Sequence, residues 1–121
     1  MESNILYLYA GIGSMVLLIV SGIILHKNGS PYNKIATALH KLFALAVIGF
    51  TILFVRTSFS FELLSMKQII ALSISLVSIM ILFISGALLS VGRQSGGMLI
   101  LHRLFTAGII AGMTWFIYSF L

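Results

Sequence analysis

Residues 39–43 read LHKLF and residues 101–105 read LHRLF, and each pentapeptide lies inside an apolar run long enough to cross a bilayer. The run around the first, residues 33–55, holds one histidine and two lysines, and otherwise almost only aliphatic, aromatic and small residues. The whole chain is written in this way. Of its 121 residues 60% are hydrophobic and 7% are charged, against about one quarter charged in a soluble domain. Its mean hydropathy is +1.20. The solvent these histidines meet is therefore lipid. Comparable runs fall at about 5–26, 33–55, 68–91 and 98–120, each near the roughly 20 residues a helix needs to span a bilayer core. The expectation is an all-α, integral membrane, four-helix bundle forming one four-span domain over residues 1–121. The first run has no basic leader and no Ala-x-Ala cleavage pattern, so it reads as a retained span rather than a signal peptide.

The absence of cysteine removes disulfides, thiolate metal sites, covalent c-type haem and cysteine nucleophiles. The net charge of +5 does not point to nucleic acid, because the seven cations are scattered among apolar spans. Lys27, Lys34 and Lys41 surround the first connector, and Arg93 and Arg103 the third. The opposite side carries Arg56 and Lys67, balanced by Glu2 and Glu62. Five cations against two place the histidine-bearing ends in the cytoplasm and both termini outside, by the positive-inside tendency. A multi-pass protein of a prokaryotic cytoplasmic membrane is expected.

The connectors carry turn signals. In KNGSPYNK (residues 27–34), Asn28-Gly29 ends the first helix, and Ser30 as cap with Pro31 at the first helical position starts the second close to Pro31. In GRQSGG (residues 92–97), glycines separate the third helix from the fourth. The middle connector, RTSFSFELLSMK (residues 56–67), alternates aromatic and polar residues; it reads as an interfacial turn, with a ligand-facing element as the alternative.

Laid over each other, the two halves repeat. VSGIIL (residues 20–25) aligns with ISGALL (residues 84–89), and after a shorter loop LHKLF aligns with LHRLF. Each half is a helical hairpin, with Ser-Gly near the end of its first helix and His-Lys/Arg a few turns into its second. Two spans separate equivalent positions, so the repeats have parallel topology about an axis along the membrane normal. In an up-down-up-down bundle the second and fourth helices are diagonal neighbours, and His40 and His102 face each other across the core.

Intramembrane ionisable residues are costly and mark function by default. Two opposed imidazoles in an apolar bundle suit a haem held between them, each ring giving one nitrogen to the iron. A flat macrocycle needs nearby backbone without side chains, which Gly22 and Gly86 offer. Ala36 and Ala44, one turn from His40, and Thr106, one turn from His102, are small as well. Lys41 and Arg103 lie about 100° around the helix from the histidines, where they can snorkel to the surface and meet haem propionates.

Diagonal histidines on the second and fourth helices, with glycines on the first and third, resemble the haem-binding core of the membrane b-type cytochromes. The resemblance covers nearly the whole chain. It implies His40 and His102 as axial iron ligands, Gly22 and Gly86 as haem-edge glycines, and Lys41 and Arg103 at the propionates. Many members of that family hold two stacked haems through a second histidine pair about four turns further along. Here those places fall near Phe54 and Phe116, so one haem b near the cytoplasmic side is expected. The implied function is electron transfer between a quinone and a membrane or cytoplasmic redox partner, as a homodimer or a subunit of a larger complex. Quinone-linked oxidoreductase activity follows by analogy alone, with no residue constellation for it.

Each feature has a plainer reading. The histidines suit inter-helix hydrogen bonds to serine or water, and Gly22, Gly86 and the Gly108/Gly112 pair suit helix packing. Lys41 and Arg103 suit interfacial anchoring, and so does His26 at the first helix end, where the second half has Ser90. A non-redox structural or accessory subunit is the serious rival. A small proton-coupled transporter needs an intramembrane carboxylate, which Glu2 and Glu62 do not supply. A channel wants a polar stripe, whereas Ser73, Ser75, Ser78 and Ser85 read as scattered.

Overall fold

The computed structural model describes residues 2–29, 32–58, 61–91 and 96–119. These form four α-helices, α1 (Glu2–Asn28), α2 (Lys34–Ser58), α3 (Met66–Ser90) and α4 (Gly96–Tyr118), and a short 3-10 turn at Phe61–Leu63. No strand occurs among the described residues. All four helices are long and apolar enough to cross a membrane; the shortest, 23 residues, reaches about 34 Å at 1.5 Å per residue, beyond the ~30 Å hydrocarbon core. The protein is all-helical, with the outward aliphatic surface of a multi-pass membrane protein: Ile35, Leu76 and Leu104, one each on α2, α3 and α4, are all more than 60% exposed.

The helix ends follow from local hydrogen bonding. Gly29, at φ +65°, donates its N–H to the Leu25 carbonyl at 3.1 Å. This left-handed residue closes α1 as the Asn-Gly pair foretells. The start of α2 departs from expectation. Ser30 and Pro31 lie outside the described residues, Tyr32 and Asn33 are not helical, and the helix begins at Lys34. Asn33 is the cap, its Oδ1 accepting from the N–H groups of Ile35 at 2.8 Å and Ala36 at 3.2 Å. The start of α3 is fixed by a reciprocal pair: Gln68 N–H donates to Ser65 Oγ at 3.3 Å and Ser65 N–H to Gln68 Oε1 at 2.9 Å. Four residues of the third connector, 92–95 and with them Arg93, lie outside the described residues.

The chain divides into two compact units, Met1–Glu62 and Leu63–Leu121, one hairpin each. In the first, a Cβ added at Gly11 would meet Phe50 and one at Gly22 would meet His40, while Asn4 donates to the Thr57 carbonyl. These pairs run in opposite directions along α1 and α2, so the helices are antiparallel. In the second, Gly86 faces His102, Gly108 faces Ser78 and Gly112 faces Ser75, again antiparallel. The buried side of α3 is Gln68, Ala71, Ser75, Ser78, Ser85 and Leu89, an alternation of three- and four-residue steps as in a coiled-coil seam, with one step left out. On α4 Ile109 and Phe116 are buried, and His102, Gly108 and Gly112 are the positions that meet Gly86, Ser78 and Ser75 of α3. Small residues let helices approach closely where lipid offers no hydrophobic drive for association. Of the four α3 serines that read as scattered, only Ser73 is exposed; Ser75, Ser78 and Ser85 are buried in this seam.

Candidate functional site

Each hairpin carries the same small constellation, built from one helix turn of each partner. His40 is the seventh residue of α2, counting from Lys34, and His102 the seventh of α4, counting from Gly96. Each therefore lies about 9 Å along its helix from the start. Both side chains are half-buried. In the first hairpin His40 Nδ1 lies 2.9 Å from Ser21 Oγ. In the second His102 Nδ1 lies 2.8 Å from Ser85 Oγ. The serines are buried, Ser21 at 9% exposure and Ser85 at 1%, so each bond forms away from water.

The adjoining glycines make the approach feasible. A Cβ on Gly22 would stand 3.2 Å from His40 Cε1, and one on Gly86 would stand 3.3 Å from His102 Cε1. Both distances are shorter than ordinary van der Waals contact. The sequence unit Ser-Gly is thus a seat for an imidazole from the neighbouring helix: the hydroxyl takes Nδ1 and the missing side chain admits the ring edge. Of the residues singled out from sequence, the structure brings Gly22 to His40 and Gly86 to His102. Lys41 and Arg103, one position after each histidine, are exposed, as is His26 near the end of α1. Ala36, Ala44 and Thr106 are half-buried, and Thr106 donates its hydroxyl to the His102 carbonyl at 2.8 Å. Phe54 is half-buried and Phe116 is fully buried.

Ser21 and Ser85 went unassigned from sequence, although the signal was there: both precede the aligned glycines in VSGIIL and ISGALL. Chemically, each seat offers an oriented imidazole with one ring nitrogen held by the protein, as in metal sites where the non-ligating nitrogen is engaged by a neighbour. Among the described residues no three His, Cys, Asp or Glu side chains gather. No protein-family profile, curated protein or solved structure matches the chain.

Proposed function

We propose that the chain is a membrane haem b protein in which His40 and His102 ligate one iron from opposite faces, passing electrons between a quinone and a redox partner. The observation that supports this reading is the duplicated seat. Each imidazole is borne by the seventh residue of its own helix, held through Nδ1 by a serine and admitted by a glycine. A porphyrin brings four nitrogens of its own and asks the protein for two, so a pair of imidazoles fits where a zinc site would need more ligands. When bound, haem supplies one-electron chemistry; the chain's own residues hold and orient it. In this reading the hairpins assemble as an up-down-up-down bundle with α2 and α4 diagonal, Gly22 and Gly86 flank the macrocycle as well as the rings, and Lys41 and Arg103 meet its propionates. The cation distribution supports a cytoplasmic position for that end. With both histidines as ligands, the haem would have no position left for oxygen, which would favour electron transfer.

A second reading rests on the same bond. Ser21 and Ser85 satisfy the imidazoles within their own hairpins, so the histidines suffice as polar clasps of a structural or accessory subunit. Colour separates the two. Purified from membranes of haem-replete cells, the chain should be red, with the low-spin bis-histidine spectrum. His40→Ala and His102→Ala should each abolish that spectrum, and His26→Ala should retain it. A colourless wild-type protein, or a spectrum that survives His102→Ala, would sink the haem reading and leave the clasp.

A further inference from the structure

The first hairpin carries cations that the repeated seats do not account for. Residues of α2 correspond to those of α4 62 positions later, as His40 does to His102. Lys41 therefore has a counterpart in Arg103, but Lys34 matches Gly96 and Ala38 matches Ile100. At 100° per residue, Lys34, Ala38, Lys41, Leu45, Gly49 and Ile52 fall within an arc of about 80°, and all six are exposed. They make one stripe, basic at the start of α2 and apolar below it. Glu2 opens α1 and Glu62 follows α2, so neither acidic side chain stands at this end of the hairpin.

The stripe has the proportions of a phospholipid. Lys34 and Lys41 stand about 10 Å apart along the axis at 1.5 Å per residue, and on this face only the Ala38 methyl lies between them. Helix side chains tilt towards the N-terminus, which in α2 is the end at Lys34. The Lys41 stem therefore runs back towards the surface, where its ammonium and that of Lys34 can close on one anion. Below Lys41, Leu45 and Ile52 flank Gly49, where an added Cβ meets nothing within 4 Å, so an acyl chain has a bare length of helix to lie on. A water-soluble acidic partner could reach Lys34 at the helix start but not Lys41, two turns into the span. We infer that the first hairpin holds one anionic phospholipid here, its phosphate between Lys34 and Lys41 over Ala38 and an acyl chain along Leu45, Gly49 and Ile52. The site needs no haem. Lys41 alone is shared with the proposed propionate contact, so Lys34 and Ala38 carry the test. Any surface cation attracts acidic lipid; the gap at Ala38 turns two of them into a site, and the second hairpin, with Gly96 and Ile100, has neither the second cation nor the gap.

Native mass spectrometry of the full-length chain released from detergent counts bound lipid molecule by molecule. Offered phosphatidylglycerol and phosphatidylcholine of the same acyl chains in equal amount, the wild type should retain one phosphatidylglycerol and no phosphatidylcholine. Lys34→Gln should weaken retention about fivefold. Ala38→Leu, which changes no charge and lies on an exposed surface, should weaken it at least as much by filling the gap. Gly96→Lys with Ile100→Ala, both at exposed positions of α4, should build a second site and retain a second phosphatidylglycerol. Equal retention of the two lipids by the wild type overturns the inference even if a variant fails to fold. So does undiminished retention in Ala38→Leu, which would leave only general surface charge. Displacement of the lipid by inorganic phosphate would assign the lysines to a soluble anion and overturn it as well. A colourless protein that keeps its phosphatidylglycerol refutes the haem reading alone; a red protein without lipid preference refutes the lipid site alone.

Discussion

At the scale of single residues, the glycines beside the histidines are as decisive as the histidines. Because Nδ1 is tied to serine, the His40 ring cannot slide away from a new Cβ on Gly22 without stretching that bond, and the same holds for His102 and Gly86. Gly22→Ala and Gly86→Ala should each destabilise the purified protein by about 1 kcal/mol, and leucine at either place by about 3 kcal/mol. Gly13, where an added Cβ meets nothing within 4 Å, is the control: Gly13→Ala should leave thermal unfolding in detergent unchanged or raise it. Equal effects at all three sites would mean that the ring does not depend on the glycine. The histidines, their cations and these glycines were legible as letters because the halves repeat them. What they do to one another was not, since a seat made by residues 21, 22 and 40 exists only once α1 and α2 pair.

At the scale of elements, the length of apolar runs revealed four helices because lipid sets a minimum span, while their ends answered to individual hydrogen bonds. Pro31 was a sound helix-start signal, yet Asn33 caps α2 two residues later. The Ser65–Gln68 box was present as S-x-x-Q inside a stretch read as an interfacial connector. The serine seam of α3 was hidden for a different reason. In a helix apolar on every side, aliphatic periodicity no longer marks the buried face, and small or polar residues mark it instead. Within that seam Gly112 has less room for a side chain than Gly86 or Gly108. A Cβ there would stand 2.7 Å from Ser75 Oγ, and Ser75 has little freedom to yield because its hydroxyl donates to the Ala71 carbonyl at 2.9 Å. Gly112→Ala should cost about 1–3 kcal/mol in a helix-association or unfolding assay. Gly108→Ala, at 3.3 Å from Ser78 Oγ, should cost less, and Gly49→Ala, with open space around it, close to nothing. A reversed order would show that the α3/α4 approach is not limited at Gly112.

At the scale of the whole molecule, the proposed haem ties charge to potential. Lys41 and Arg103 are exposed beside the two seats, and cations near an iron favour its reduced state, which carries one less positive charge. In haem-loaded membranes the Lys41→Gln, Arg103→Gln double variant should therefore have a lower midpoint potential than the wild type, by an amount set by solvent screening. A redox titration with unchanged or raised potential and full haem content would reduce the two cations to interfacial anchors. The pairing of His40 with His102 stood on the repeat in the sequence, and single-chain patterning has no term for the distance between two hairpins.

The serine seats also bear on biosynthesis. A chain leaves the ribosome from its N-terminus, and early segments organise before later ones exist. Since His40 meets Ser21 of α1 at hydrogen-bond distance, the first hairpin carries a partner of its own for a polar ring in lipid. It can pass from the translocon into the bilayer as a finished pair while the second is still being made. The second hairpin carries the same device, with Ser85 beside His102, so in the proposed haem protein cofactor capture would follow the insertion of both.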